Sequence, residues 1–113
     1  MTVKIVTDSA VGLPLDLARE LGITIVSVYL RFGDKVYRDG VDIGPDEVYA
    51  KLMSSSAVPS TSAPSAGDFA QAYRDVASST DEIVSIHITR RHSVTYDAAL
   101  LSREMIEKTR CRI

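Results

Sequence analysis

Val3-Lys4-Ile5-Val6-Thr7-Asp8-Ser9 is the stretch on which the fold turns. It is short and rich in β-branched side chains. It closes on Asp-Ser, residues that bond nearby backbone where a helix begins, so it predicts a buried strand running into a helical turn. Pro14 then opens a helix with Leu15, Leu17, Ala18 and Leu21 among charged residues, stopped by Gly22. The run Ile23 to Leu30 is nearly all apolar and predicts one second strand covered on both faces. Arg31 to Tyr37 alternates around Gly33-Asp34, a hairpin signal, and Arg38-Asp39-Gly40 adds a turn. Pro45-Asp46-Glu47 opens the next helix, with Val48, Tyr49, Leu52 and Met53 on one face.

Beyond Ser54-Ser55-Ser56 lies Pro59-Ser60-Thr61-Ser62-Ala63-Pro64-Ser65, a proline-bracketed run of hydroxyls read as a stiff loop between two helices. Ser65-Ala66-Gly67-Asp68 resembles a capping box and starts a helix through Phe69, Ala72, Tyr73 and Val76. Glu82 to Ile88 predicts another strand. A long helix follows with Ala98, Leu101, Met105 and Ile106 on one face and Arg103, Glu104, Glu107 and Lys108 opposite. Cys111-Arg112-Ile113 reads as the entry to one more strand. Strands alternating with helices give an α/β fold: a mostly parallel sheet flanked by helices, with right-handed crossovers and a small antiparallel hairpin excursion. Residues 1–113 are read as a single domain, interrupted where a strand begins.

The chain has 113 residues, of which 45% are hydrophobic, enough for a core of one domain. Its formal net charge of −2 supplies no general attraction to nucleic acid or to an anionic membrane. The apolar run Ile23 to Leu30 is far too short for stable membrane insertion. One cysteine, Cys111, excludes an internal disulfide framework, and no cationic start precedes an apolar signal region, so the expected location is cytoplasmic.

In an open α/β sheet a ligand sits beyond the carboxyl ends of the strands, beside helix N-termini with unpaired N–H groups. Asp8-Ser9, the Pro59 to Ser65 loop and Thr89 to Ser93 all belong there, and together they make a neutral cradle for a carboxylate or phosphate. Ser9, Ser65 and Ser93 read equally well as helix caps, and the hydroxyl loop taken alone reads more readily as a flexible connector than as a site. His92-Ser93 does not make a hydrolase, because a base must reach the hydroxyl and be oriented by a third group. Gly-x-Ser-x-Gly, phosphate-loop and Gly-x-Gly-x-x-Gly patterns are missing, and two histidines with one cysteine give no zinc spacing. His87 within an apolar strand reads as a satisfied core or sheet-edge histidine, Arg90-Arg91 as solvated surface, and Tyr73 and Tyr96 as packing residues.

Taken together, Val3 to Ser9, Tyr37-Arg38-Asp39-Gly40-Val41-Asp42-Ile43, Thr61-Ser62-Ala63-Pro64-Ser65 and Ile86-His87-Ile88 before Ser93-Val94-Thr95-Tyr96 resemble the DegV family of fatty-acid-binding proteins. The resemblance implies a carrier and not an enzyme: one long-chain, palmitate-like fatty acid held in a tunnel between two domains, without any other cofactor. It also implies presentation of the acid to a separate fatty-acid kinase subunit. By the same resemblance Thr61 and Ser93 hold the carboxylate, Ser62 and Thr95 are second candidates, and Ser9 with Asp8 shapes the crevice. Ala63 stands where the family usually has Gln, and Val94 where it usually has Gly. The chain then corresponds to the N-terminal part of a two-domain protein. The competing expectation is a truncated remnant that binds no lipid alone and self-associates through an open sheet edge.

Overall fold

The structure is a computed structural model and describes residues 2–54, 58–106 and 111–113. Ser55, Ser56, Glu107 and Lys108 of the sequence reading lie outside these residues. Strand β1, Lys4–Asp8, is the centre of a three-stranded parallel sheet between β2, Ile23–Val26, and β6, Ile83–Ile86. A single 3-10 turn, Ser9–Val11, follows β1 and leads to helix α1, Leu15–Leu21, which ends at Gly22 in the left-handed region.

Helix α3, Ala66–Ala77, lies across one face of this sheet, and α4, Thr95–Met105, packs against α3. Phe69 and Tyr73, one helical turn apart, meet Val6, Val26, Ile83 and Ala99 in the core. Because side chains alternate along a strand, Ile83 and Ser85 point toward α3, and Val84 and Ile86 point away. The latter two are 49% and 53% exposed, so this sheet is not covered on both faces as the apolar runs implied. Leu15, Leu17 and Leu21 of α1 are exposed as well.

The apolar run Ile23 to Leu30 is two strands, not one. After β2 the chain turns at Ser27-Val28 and enters β3, Tyr29–Phe32, which pairs antiparallel with β4, Lys35–Arg38, around Gly33-Asp34. Gly33 has φ +61°, the conformation that a tight hairpin turn asks of a glycine. Helix α2 spans Pro45–Ser54 with Asp46 and Glu47 in its first turn, as the sequence predicts. The hydroxyl stretch is also more than a connector. Ser60–Ser62 form β5, which pairs antiparallel with β3 through Tyr29↔Ser62, Leu30↔Thr61 and Arg31↔Ser60. Pro59 and Pro64 flank the strand, where their missing N–H breaks no ladder bond. At the far end, Arg112 bridges Glu82 in parallel, which fits the expected entry to a further strand.

Asp68 joins the start of α3 to the antiparallel sheet. Its backbone N–H donates to Ser65 Oγ and its carboxylate accepts from the Ser65 N–H, both at 3.0 Å, a complete capping box at the start of α3. The same carboxylate accepts from the Tyr29 hydroxyl at 2.7 Å. Burial pushes this carboxyl up, but the hydrogen bonds from Tyr29 and Ser65 outweigh it and hold the group below its ordinary value. Asp68→Ala is expected to lower stability by about 1–3 kcal/mol in urea unfolding, from the lost cap and the lost charge-assisted bond. A depressed folded value gives stability that is present above the ordinary carboxylate range and lost as pH falls through the folded value. The gap between the two proteins should therefore narrow in acid.

Candidate hydroxyl-lined ligand site

The carboxyl ends of the three parallel strands are tied together by side chains of the residues that leave them. Thr7 Oγ1 donates to the Ile86 carbonyl at 2.8 Å, linking the exits of β1 and β6. Ser9 Oγ accepts from the Val28 N–H at 2.9 Å, linking the exits of β1 and β2. Asp8, and not Ser9, caps the 3-10 turn, since Asp8 Oδ1 accepts from the Ala10 N–H at 3.0 Å. Ser9 also lines a largely apolar cavity of about 440 Å³ with Leu13, Pro14, Ile25, Ser27 and Val41.

Ser93 lies just before α4. Its Oγ accepts from the Thr95 N–H at 3.1 Å and shares a hydroxyl–hydroxyl bond of 2.8 Å with Thr95 Oγ1. Thr95 is buried and Ser93 half-buried, so Thr95 is the inner member of the pair and Ser93 the outer. Val94 has φ −80°, an ordinary value for a branched residue, so valine fits this turn without strain. Thr61 and Ser62 are exposed on β5, and neither hydroxyl has a partner among the described residues. The structure thus brings together Ser93 and Thr95, places Thr61 and Ser62 in succession along β5 with side chains on opposite faces, and ties Ser9 to Val28 between β2 and β3. No hydrogen bond among the described residues joins Thr61 to Ser93.

The model of a family described as "Uncharacterised protein, DegV family" matches residues 2–113. The chain belongs to the DegV family. It is 35% identical over 111 residues to a DegV domain-containing protein of Caldanaerobacter subterraneus subsp. tengcongensis, spanning 98% of this chain and 39% of that relative. Among solved structures it is similar to a DegV family protein from Thermus thermophilus, described by its fatty acid binding. The TM-score is 0.82 at 37% identity, covering 93% of this chain and 38% of that one. A stearic acid-binding protein from Eubacterium ventriosum matches with a TM-score of 0.84 at 33% identity, covering 93% of this chain and 36% of that one. The chain therefore spans under two fifths of the length of these DegV proteins.

The sequence reading did not find the contacts around His87. Its Nδ1 meets Asp8 Oδ2 at 2.8 Å and its Nε2 meets Ser85 Oγ at 2.5 Å, and Ser85 Oγ also bonds the Tyr73 hydroxyl at 2.7 Å. His87 is a satisfied histidine, as expected, but it is satisfied by a carboxylate and a serine. Asp8 and His87 are 79 positions apart, and neither lies in a recognisable motif, so only the pairing of β1 with β6 reveals them. Among the described residues no group of three or more His, Cys, Asp or Glu is placed to hold a metal ion, and no helix is long and apolar enough to cross a membrane.

Proposed function

We propose that this chain is the headgroup-binding part of a cytoplasmic fatty-acid carrier, in which hydroxyl side chains hold the carboxylate of a long-chain, palmitate-like acid. The observation that carries the reading is the exposed hydroxyl at Thr61 and the half-buried one at Ser93, in a chain 37% and 33% identical to proteins described as binding fatty acid and stearic acid. When Thr95 Oγ1 donates to Ser93 Oγ, the Ser93 proton is free to reach a carboxylate. The exposed Thr61 hydroxyl is free to do the same from the second sheet, while Ser62, next along β5, points to the opposite face. Ser9 holds the crevice in shape through Val28.

Each hydrogen bond to a charged acceptor adds about 1.5–3 kcal/mol, and each buried methylene about 0.8 kcal/mol. The acyl chain therefore supplies most of the affinity and the hydroxyls fix which end is presented. A carboxylate held by neutral donors near the protein surface stays reachable for a fatty-acid kinase. Lipid extraction and native mass spectrometry of the purified protein test the reading. One bound fatty acid is expected, and Thr61→Ala with Ser93→Ala should weaken binding by on the order of 10²–10⁴-fold. Protein without fatty acid, or a double variant that binds as before, would overturn it.

A second reading is favoured by Val84 and Ile86, apolar and half-exposed on the sheet face away from α3. It is a module that self-associates through this face and binds no lipid alone. Light scattering separates the two, because a lipid-loaded monomer contradicts it.

A further inference from the structure

Ser93 and Thr95 share one hydroxyl–hydroxyl bond, and burial decides which of them donates. Both groups stay neutral, so each has one proton to place and two lone pairs to offer. Thr95 is 1% exposed, and its proton therefore needs an acceptor inside the fold. Among the described residues the one partner of its hydroxyl is Ser93 Oγ, 2.8 Å away. Were Ser93 the donor, the Thr95 proton would be left bare in the interior, a larger loss than one such bond returns. Thr95 Oγ1 therefore donates. A hydroxyl this enclosed is out of reach of anything that docks on the surface. Ser93 Oγ already accepts from the Thr95 N–H at 3.1 Å, so one residue fills both of its lone pairs. The Ser93 proton is left without an acceptor among the described residues, on a side chain that is only half-buried.

We infer that Thr95 is a positioning residue, one that does not touch the ligand but fixes Ser93 as an obligate hydrogen-bond donor. The inference rests on the carrier reading and sharpens it, because it states which headgroup chemistry this end of the site takes. A hydroxyl with both lone pairs filled gives a hydrogen bond and receives none. It matches an ionised carboxylate, which only accepts, and refuses an alkylammonium, which only donates. A freely turning serine would serve either. The hydroxyl is set on folding, before any ligand arrives, so little ordering is left to the binding step. The backbone around the pair is held as well: the His92 N–H donates to the Thr89 carbonyl at 3.0 Å, and the Ala98 N–H to the Val94 carbonyl at 2.9 Å. Val94 offers α4 no side-chain cap, and Ser93 Oγ supplies one from the residue before it. Capping needs only the bond from the Thr95 N–H. The second bond, from Oγ1, adds nothing to a cap and everything to the direction of the Ser93 proton.

The test compares Thr95→Val, which keeps the branched shape and the backbone N–H and removes the hydroxyl, with Thr95→Ser, which keeps the hydroxyl. Palmitate and hexadecylammonium compete with a fluorescent fatty acid for the 113-residue chain. The preference for palmitate over hexadecylammonium should fall roughly threefold to tenfold in Thr95→Val and hold at the parent value in Thr95→Ser. In the Ser93→Ala background Thr95→Val should change nothing further, since Thr95 acts only through Ser93. A Thr95→Val protein with the parent's preference, or a loss that persists in full without Ser93, would overturn the assignment. A second measurement needs no ligand. In the NMR spectrum of the free chain the Thr95 hydroxyl proton should exchange slowly with water and lie close to the Ser93 Hβ protons, while the Ser93 hydroxyl proton exchanges fast. Slow exchange at Ser93 and fast exchange at Thr95 would equally overturn it. A chain that shows the protected Thr95 proton and binds no fatty acid would sink the carrier reading and uphold the direction of the bond.

Discussion

Phe69→Ala is expected to lower the unfolding free energy by about 3–5 kcal/mol. Phe69 is fully buried at the point where α3 crosses the parallel sheet. Its ring stacks on Tyr73 with centroids 6.1 Å apart and meets the edge of His87 at 5.0 Å. The buried cluster around it is small: Val6, Val26, Tyr73, Ile83 and Ala99. Deleting the ring removes contacts on three sides, and a three-stranded sheet backed by one helix has little freedom to collapse into the gap. A domain of this size has roughly 5–15 kcal/mol of stability in total, so the variant should be substantially unfolded at a urea concentration that leaves the parent folded. The alanine itself favours the helix, so a loss measured by urea titration reports packing and not helix propensity. A loss under about 1 kcal/mol would mean that α3 does not hold the sheet.

Val3 to Ser9 was legible as a strand and exit turn because β-branched side chains and a capping carboxylate are local signals. The capping box at Ser65 and Asp68 and the hairpin at Gly33-Asp34 were legible for the same reason. What was lost depended on partners distant in sequence. The break of Ile23 to Leu30 at Ser27-Val28 has no Gly or Pro to mark it, and the turn is held by Ser9, 19 positions away. Ser60–Ser62 has low strand propensity, and pairing with β3 makes it a strand. The same limit applies at the site. Ser93 and Thr95 stood out through the family resemblance of one contiguous motif, but Asp8, His87, Ser85 and Tyr73 come together only across two strands and a helix. The apolar runs suggested a sheet covered on both faces, which follows from composition alone. Which face α3 covers is decided by the register of β1 with β6.

Asp8→Ala is expected to cost about 3–5 kcal/mol, as much as emptying the core at Phe69 although it removes only three heavy atoms. The carboxylate has two partners: Oδ1 accepts from the Ala10 N–H and Oδ2 from His87 Nδ1. Alanine leaves both donors without acceptors in a place that water does not readily reach, since the side chains of His87 and Asp8 are 2% and 1% exposed. One of the ties between two strand exits is lost, because Asp8 ends β1 and His87 follows β6, while the Thr7 hydroxyl still holds the Ile86 carbonyl. If the penalty is mainly the orphaned imidazole, replacing His87 by leucine in the Asp8→Ala background should recover part of it. The double-mutant cycle should then give a coupling of about 1–3 kcal/mol. Asp8→Asn, which keeps an acceptor for Ala10 and offers a donor to Nδ1, should lose far less than Asp8→Ala. Equal losses from the alanine and asparagine variants would show that the charge itself holds the two exits together. Additivity of Asp8→Ala and His87→Leu would show that the two residues contribute to stability separately.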